Sequence, residues 1–356
     1  MRIAAIWAAA AFLAVGGATS PPSQAATAPR PRAELGIELP TLGIAYRKYH
    51  YRWPVTRRMY FSSAVMADIR DNLHASYVRT GWIPEWVERE RKRPWLHENQ
   101  ALDTICSSGL RVMLIVPTHV VPPSMNRLAD DVKRFLAHYT KREFGCIRWA
   151  ELGNEADLRD NGFADVQAYA AYYERIAPIV ASFGVRVITS GVSGADRPWT
   201  ATLAMLLRKA KPPPPLDGFG FHPYGIPARD LAAQMEQMRE AARGDAATAA
   251  PIYVTEIGRS DPTELYRTIV ALARQTPALT IYEYRAQPND APADAAYGLK
   301  DHPALYEAVK NAWADISAGS YRAPERRAVQ LPAAGSGTAR DCTASANRSG
   351  LDCSRR

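Results

Sequence analysis

Apolar residues fall along this chain in two alternating rhythms. Short apolar runs recur at 34–39, 76–81, 111–117, 147–152, 186–189, 218–221, 252–255 and 280–284. Each has the length of a strand, and the segments between them bring apolar side chains back every three or four residues, as a helix packed on a sheet requires. In 163–183, for example, Val166, Tyr169, Tyr172, Tyr173, Ile176 and Ile179 form one stripe, and 126–139, 231–242, 264–274 and 304–313 read the same way. Eight such runs alternating with helices predict an α/β chain with a parallel sheet closed into a (β/α)8 TIM barrel. The prolines in 211–216 cannot be helical and predict a stiff polyproline II return to the sixth strand.

Length changes the picture at the ends only. A barrel of this kind takes about 250 residues, and the chain has 356. One catalytic domain is therefore expected at 34–317, after a leader at 26–33 and before a tail at 318–356. The tail is rich in Ala, Gly, Ser, Pro and Arg, too poor in large apolar groups to offset its ordering entropy, so it reads as flexible and basic. At the N-terminus, Arg2, an apolar stretch over 3–18 and small residues through Ser23-Gln24-Ala25 have the layout of a secretory signal peptide, residues 1–25. The apolar stretch is short for a bilayer span of about 20 residues. A secreted or periplasmic protein is expected, with no membrane span once the signal is cleaved.

The net charge of +8 raises the question of an anionic partner. Acidic residues are interspersed among the basic ones for most of the length, which argues against nucleic acid and leaves an acidic polysaccharide open. None of the four cysteines forms a C-x-x-C pair, so neither zinc nor redox chemistry is indicated. Cys342 and Cys353 could close a small loop; Cys106 and Cys146 either pair or stand as two buried thiols.

Two strand ends carry the candidate chemistry. Trp149-Ala-Glu-Leu-Gly-Asn-Glu-Ala156 delivers Asn154 and Glu155 to the end of the fourth strand, and Ile252-Tyr-Val-Thr-Glu-Ile-Gly258 delivers Glu256 to the end of the seventh. Active sites of such barrels lie at the C-terminal ends of the strands. Two carboxyls facing each other there, about 5 to 5.5 Å apart, are what glycoside hydrolysis with retention needs.

These residues resemble the clan A glycoside hydrolases, especially their family 5 and family 39 branches, over 34–317. The resemblance implies that Asn154 binds a sugar 2-hydroxyl, Glu155 is the acid/base and Glu256 the nucleophile. Arg79, His119 and His222-Pro-Tyr224 stand where the group places an Arg, a His and a His-x-Tyr. Arg79 and Tyr224 are candidates for holding Glu256 ionised, since hydrogen bonds to a carboxylate favour its charge. Glu155 has to keep its proton near neutrality, which predicts a drier or more negative setting.

Strand eight departs from the group, reading Ile281-Tyr-Glu-Tyr-Arg-Ala-Gln287 with no Trp. Tyr284 or Tyr282 would supply the sugar platform there, and Gln287 would approach the sugar. Trp82, just past strand two, is a candidate for lining outer subsites. The expected partner is a carbohydrate, with no cofactor or metal, and the chain reads as a monomer; a metal site on His119, His222 and a glutamate lacks ligand spacing. A carbohydrate-binding barrel without turnover, a transglycosylase and an export partner for an exopolysaccharide are the competing readings.

Overall fold

A computed structural model describes residues 33–42, 53–82, 96–117, 125–140, 145–244, 250–287 and 291–319. Among the described residues, nine strands form one all-parallel sheet: β1 Glu34–Glu38, β2 Tyr77–Gly81, β3 Arg111–Val116, β4 Ile147–Leu152, β5 Arg186–Thr189, β6 Val192–Ser193, β7 Phe219–His222, β8 Ile252–Ile257 and β9 Ala278–Ile281. They lie in the order β5-β4-β3-β2-β1-β9-β8-β7-β6. A parallel bridge from Ile188 to Gly218, with Thr189 N donating to Gly218 O at 3.1 Å, joins β5 to the start of β7 and closes the ring. β5 and β6 are two pieces of one strand broken at Ser190-Gly191, so the closed barrel has the eight strands that the sequence predicts.

The helices pack outside: α1 Trp53–Tyr60, α2 Ser63–Ala67, α3 Leu96–Ser107, α4 Met125–Thr140, α5 Val166–Ala181, α6 Arg197–Lys209, α7 Leu231–Arg243, α8 Pro262–Leu272, α9 Pro292–Ala295 and α10 Pro303–Ala318. The stripe on α5 buries Tyr169, Tyr172, Tyr173 and Ile176 against the sheet, and Asp165 caps its start by accepting from Ala168 N at 2.8 Å. No described helix is long and apolar enough to cross a membrane. The stretches 1–25, 26–32 and 320–356, which hold the expected signal peptide, most of the leader and nearly all of the tail, lie outside the described residues, as do Cys342 and Cys353. Cys106 and Cys146 are joined in a disulfide that ties the end of α3 to the residue before β4.

The barrel interior is layered because side chains of a strand alternate in direction. Tyr77, Met113, Trp149, Ile188, Tyr253 and Ala278 make an apolar layer of their own, one from each of six strands. Two residues further on, the same rhythm brings Arg79 after Tyr77, Glu151 after Trp149 and Thr255 after Tyr253, and this layer is polar and fully buried. The polar layer is the floor of the site.

Candidate active site

The floor is built on Arg79, whose side chain is entirely buried. Its Nε donates to Glu151 Oε2 at 2.7 Å, Nη1 donates to Glu256 Oε2 at 2.6 Å and also to Glu38 Oε2, and Nη2 donates to Asn154 Oδ1 at 2.6 Å. One guanidinium therefore gathers three carboxyls and one amide from three strands and their ends, β1, β4 and β8. Glu151 also accepts from Gly191 N and Thr255 Oγ1, each at 2.8 Å. Burial works against its charge, but Arg79 and then His222 outweigh burial and hold the carboxyl down at about 2. A buried charge with this many donors is satisfied.

Glu256 follows the inward-facing Thr255, yet both side chains reach the site. The pairing of β8 with β9 shifts register between Val254 and Ile257, and such an irregularity re-aims side chains. Tyr224 OH donates to Glu256 Oε1 at 2.7 Å, so each oxygen of Glu256 has a donor, one from Tyr224 and one from Arg79. Asn154 spends its amide oxygen on Arg79, which leaves its NH2 as a donor for the cleft.

Glu155 stands at φ +47°, in the left-handed region. That conformation costs a residue with a side chain on the order of 1–3 kcal/mol. Neighbours hold it there: Glu155 N donates to Gly191 O at 3.0 Å, its carbonyl accepts from Leu158 N at 2.9 Å and Asn161 Nδ2 at 3.1 Å, and Ala156 N donates to Ser190 Oγ at 3.0 Å.

His222 links the two halves of the site. Nδ1 lies 3.2 Å from Glu155 Oε1, and Nε2 lies 3.0 Å from Thr255 Oγ1, which in turn donates a hydrogen bond to Glu151 Oε1. Burial opposes a charged imidazole, but Glu256 and the hydrogen bonds of Glu151 and Glu155 prevail and push its pKa up to about 10. This corrects the expectation for Glu155. Its burial raises the pKa, but the hydrogen bond and charge of His222, then the charge of Arg79, bring it below the usual carboxylate value. At neutral pH the proton of the Glu155–His222 pair resides on the imidazole.

Glu155, His222 and Glu256 each present a ligand atom, all within 4.8 Å of one another, a spacing that a metal ion could use. As the side chains stand, His222 Nδ1 faces Glu155 Oε1 and Nε2 faces Thr255 Oγ1, so both ring nitrogens are engaged within the protein.

A cleft of about 390 Å³ opens above this floor, lined by Glu38, Asn154, Glu155, Tyr224, Glu256 and Tyr282, together with Gln287, Asp294 and Tyr297. Tyr282 and Tyr297 meet edge to face at 6.2 Å, and Tyr297 lies 6.1 Å from Tyr224, so three phenols form an aromatic wall. Of the two strand-eight candidates, Tyr282 lines the cleft. Tyr284 does not: it is 4% exposed, and its hydroxyl donates to Asp68 Oδ2 at 2.8 Å on the helical side. Trp82 is also placed elsewhere, 1% exposed with its ring 4.3 Å from Phe135 of α4, where no face is left for a sugar. His119 lies outside the described residues.

Sequence reasoning missed Glu38, Glu151, Thr255, Asp294 and the cleft position of Tyr297. For Glu151 the signal was a charge inside the apolar run of β4, and for Glu38 a charge at the end of β1. Asp294 and Tyr297 come from α9 and the turn after it, where no rhythm marks them.

No protein-family model and no curated protein matches the sequence. Solved structures do match. A monomeric beta-xylosidase from Caulobacter crescentus CB15 aligns at TM-score 0.61 and 16% identity, over 78% of this chain and 67% of that one. The GH5_18 protein of Streptomyces cattleya, in complex with GlcNAc, aligns at TM-score 0.58 and 14% identity, over 83% and 82%. A GH30 endoxylanase from Clostridium papyrosolvens C71 aligns at TM-score 0.52 and 13% identity, over 80% and 72%. At these identities the likeness is one of fold: the chain has the barrel that these glycoside hydrolases share.

Proposed function

We propose that the chain is an exported glycoside hydrolase that cleaves O-glycosidic bonds of an oligo- or polysaccharide with retention. The observation that carries this is the spacing of Glu155 and Glu256, whose nearest carboxyl oxygens lie within 4.8 Å. Inverting enzymes need about 6.5–9.5 Å to seat a water between their carboxyls, and retaining ones about 5–5.5 Å. The glycosidase barrels that share the fold support the same reading. Export is supported by the N-terminal pattern and by the Cys106–Cys146 disulfide, a bond favoured in oxidising compartments.

In the first step, an oxygen of Glu256 attacks the anomeric carbon. The bond to the leaving oxygen breaks, and that oxygen takes a proton from Glu155, which draws on the proton held by His222. The product is a glycosyl ester on Glu256. Water then gives a proton to Glu155 and its oxygen attacks the anomeric carbon, releasing Glu256 and restoring the proton of the pair. Two coupled groups sharing one proton titrate together, so Glu155 can be the donor although the proton rests on His222.

The test is the Glu155→Ala variant on aryl glycosides of graded leaving ability. General acid help is worth on the order of 10²–10⁴-fold, so the loss should grow as the leaving group worsens, and azide should restore turnover of dinitrophenyl substrates. A loss independent of the leaving group would contradict the role.

A further inference from the structure

Glu38 takes no part in that reaction, yet it shares the cleft with the two carboxyls that do. It ends β1 in register with Arg79 of β2, and its side chain is 11% exposed against 10% for Glu256. Arg79 Nη1 donates to Oε2 of both residues, so the two carboxyls meet on one nitrogen and are flanking neighbours. Their other oxygens differ. Glu256 Oε1 is held by Tyr224 OH at 2.7 Å. Glu38 Oε1 has no hydrogen bond to a described residue, and it is not among the atoms sealed in the interior without a partner. It is a polar atom that opens on the cleft beside the nucleophile.

We propose that Glu38 is a substrate-binding residue of the innermost subsite, holding a hydroxyl of a neutral glycone through its open Oε1. The assignment rests on the glycosidase reading above. Burial raises the Glu38 carboxyl to about 8, with Arg79 opposing and Glu256 adding to the rise. Near neutrality it therefore carries a proton that Oε1 can donate to a sugar hydroxyl. Ionised, it would set a second negative charge on the arginine nitrogen that steadies Glu256. The same crowding selects the class of sugar. Glu155, Glu256 and Asp294 also face the cleft, so the carboxylate of a uronic acid would meet like charge there, whereas a neutral hydroxylated ring meets donors and acceptors. The acidic polysaccharide that the net charge leaves open is not the glycone this subsite fits.

The experiment compares dinitrophenyl glycosides of neutral hexoses and pentoses, the matching uronides, and mono-deoxy versions of the best neutral substrate. Wild type should cleave the neutral series and leave the uronides. Glu38→Gln should lower kcat/KM about 10- to 100-fold on the parent glycoside, the cost of one hydrogen bond to substrate. On the one mono-deoxy glycoside that lacks the hydroxyl held by Glu38, the loss should shrink to about 3-fold or less, because the interaction is already gone. An alkaline limb near pH 8 in wild type should be absent from the variant. Glu38→Asp, which keeps a carboxyl for Arg79, should show the same position-selective pattern and stands in if the Gln variant does not fold. Equal losses across the deoxy series, or preference for uronides, would overturn the assignment while leaving the glycosidase reading intact. No turnover of any glycoside by wild type would overturn both.

Discussion

Arg79 Nε donates to Glu151 Oε2 at 2.7 Å, and neither side chain has any exposed surface. The pair is the keystone of the polar layer, because the same arginine orients Glu256, Glu38 and Asn154. Breaking a buried pair leaves an uncompensated charge, at a cost of about 3–5 kcal/mol. Glu151→Ala should therefore lower the unfolding free energy in urea by about that amount and reduce activity with it, although Glu151 does not line the cleft. A variant as stable as wild type would show that the pair is dispensable.

The proton on His222 has a signature in stability. Its pKa is raised from 6.5 to about 10 in the folded chain, so its contribution is full below about pH 6.5 and is lost as the pH rises through 10. Glu38, raised from 4.5 to about 8, loses its contribution as the pH rises through 8. Glu151, lowered from 4.5 to about 2, acts in the opposite sense and loses its contribution as the pH falls through 2. Thermal unfolding between pH 5 and 10 should show Tm falling with pH in wild type. His222→Gln should be flatter between pH 8 and 10, and parallel curves would contradict a charged His222.

Gly191 sits at the break between β5 and β6 because nothing larger fits. A methyl group there would lie 2.1 Å from His222 Nε2 and 2.8 Å from Thr255 Oγ1. Gly191→Ala should cost about 1–3 kcal/mol of stability by overpacking and at least about 10-fold in kcat through the displaced imidazole. Gly145→Ala, with nothing within 4 Å of the added carbon, is the control and should be neutral.

The barrel was legible because each strand is an apolar run and each long helix carries a stripe. Asn154, Glu155 and Glu256 were legible because they end such runs. What the rhythm could not convey is which side chains meet across the barrel. Glu38 faces Arg79 through strand register, and Glu256 joins Thr255 in the site through a register shift. Tyr282 and Tyr284 are two residues apart past the end of β9, where alternation no longer assigns a face, and the chain sends one to the cleft and the other to Asp68. The ionisation of Glu155 was misjudged for a related reason. Burial alone would raise its pKa, and only the three-dimensional position of His222 reverses the sign.

In the proposed reaction Glu256 becomes a glycosyl ester. Incubation with activated 2-deoxy-2-fluoro glycosides, which form the ester quickly and release it slowly, followed by mass spectrometry of peptides, tests it directly. One sugar adduct is expected on the peptide carrying Glu256, and none in Glu256→Gln. Turnover of the parent glycosides with inverted anomeric product and no adduct, or an adduct on another carboxyl, would contradict it.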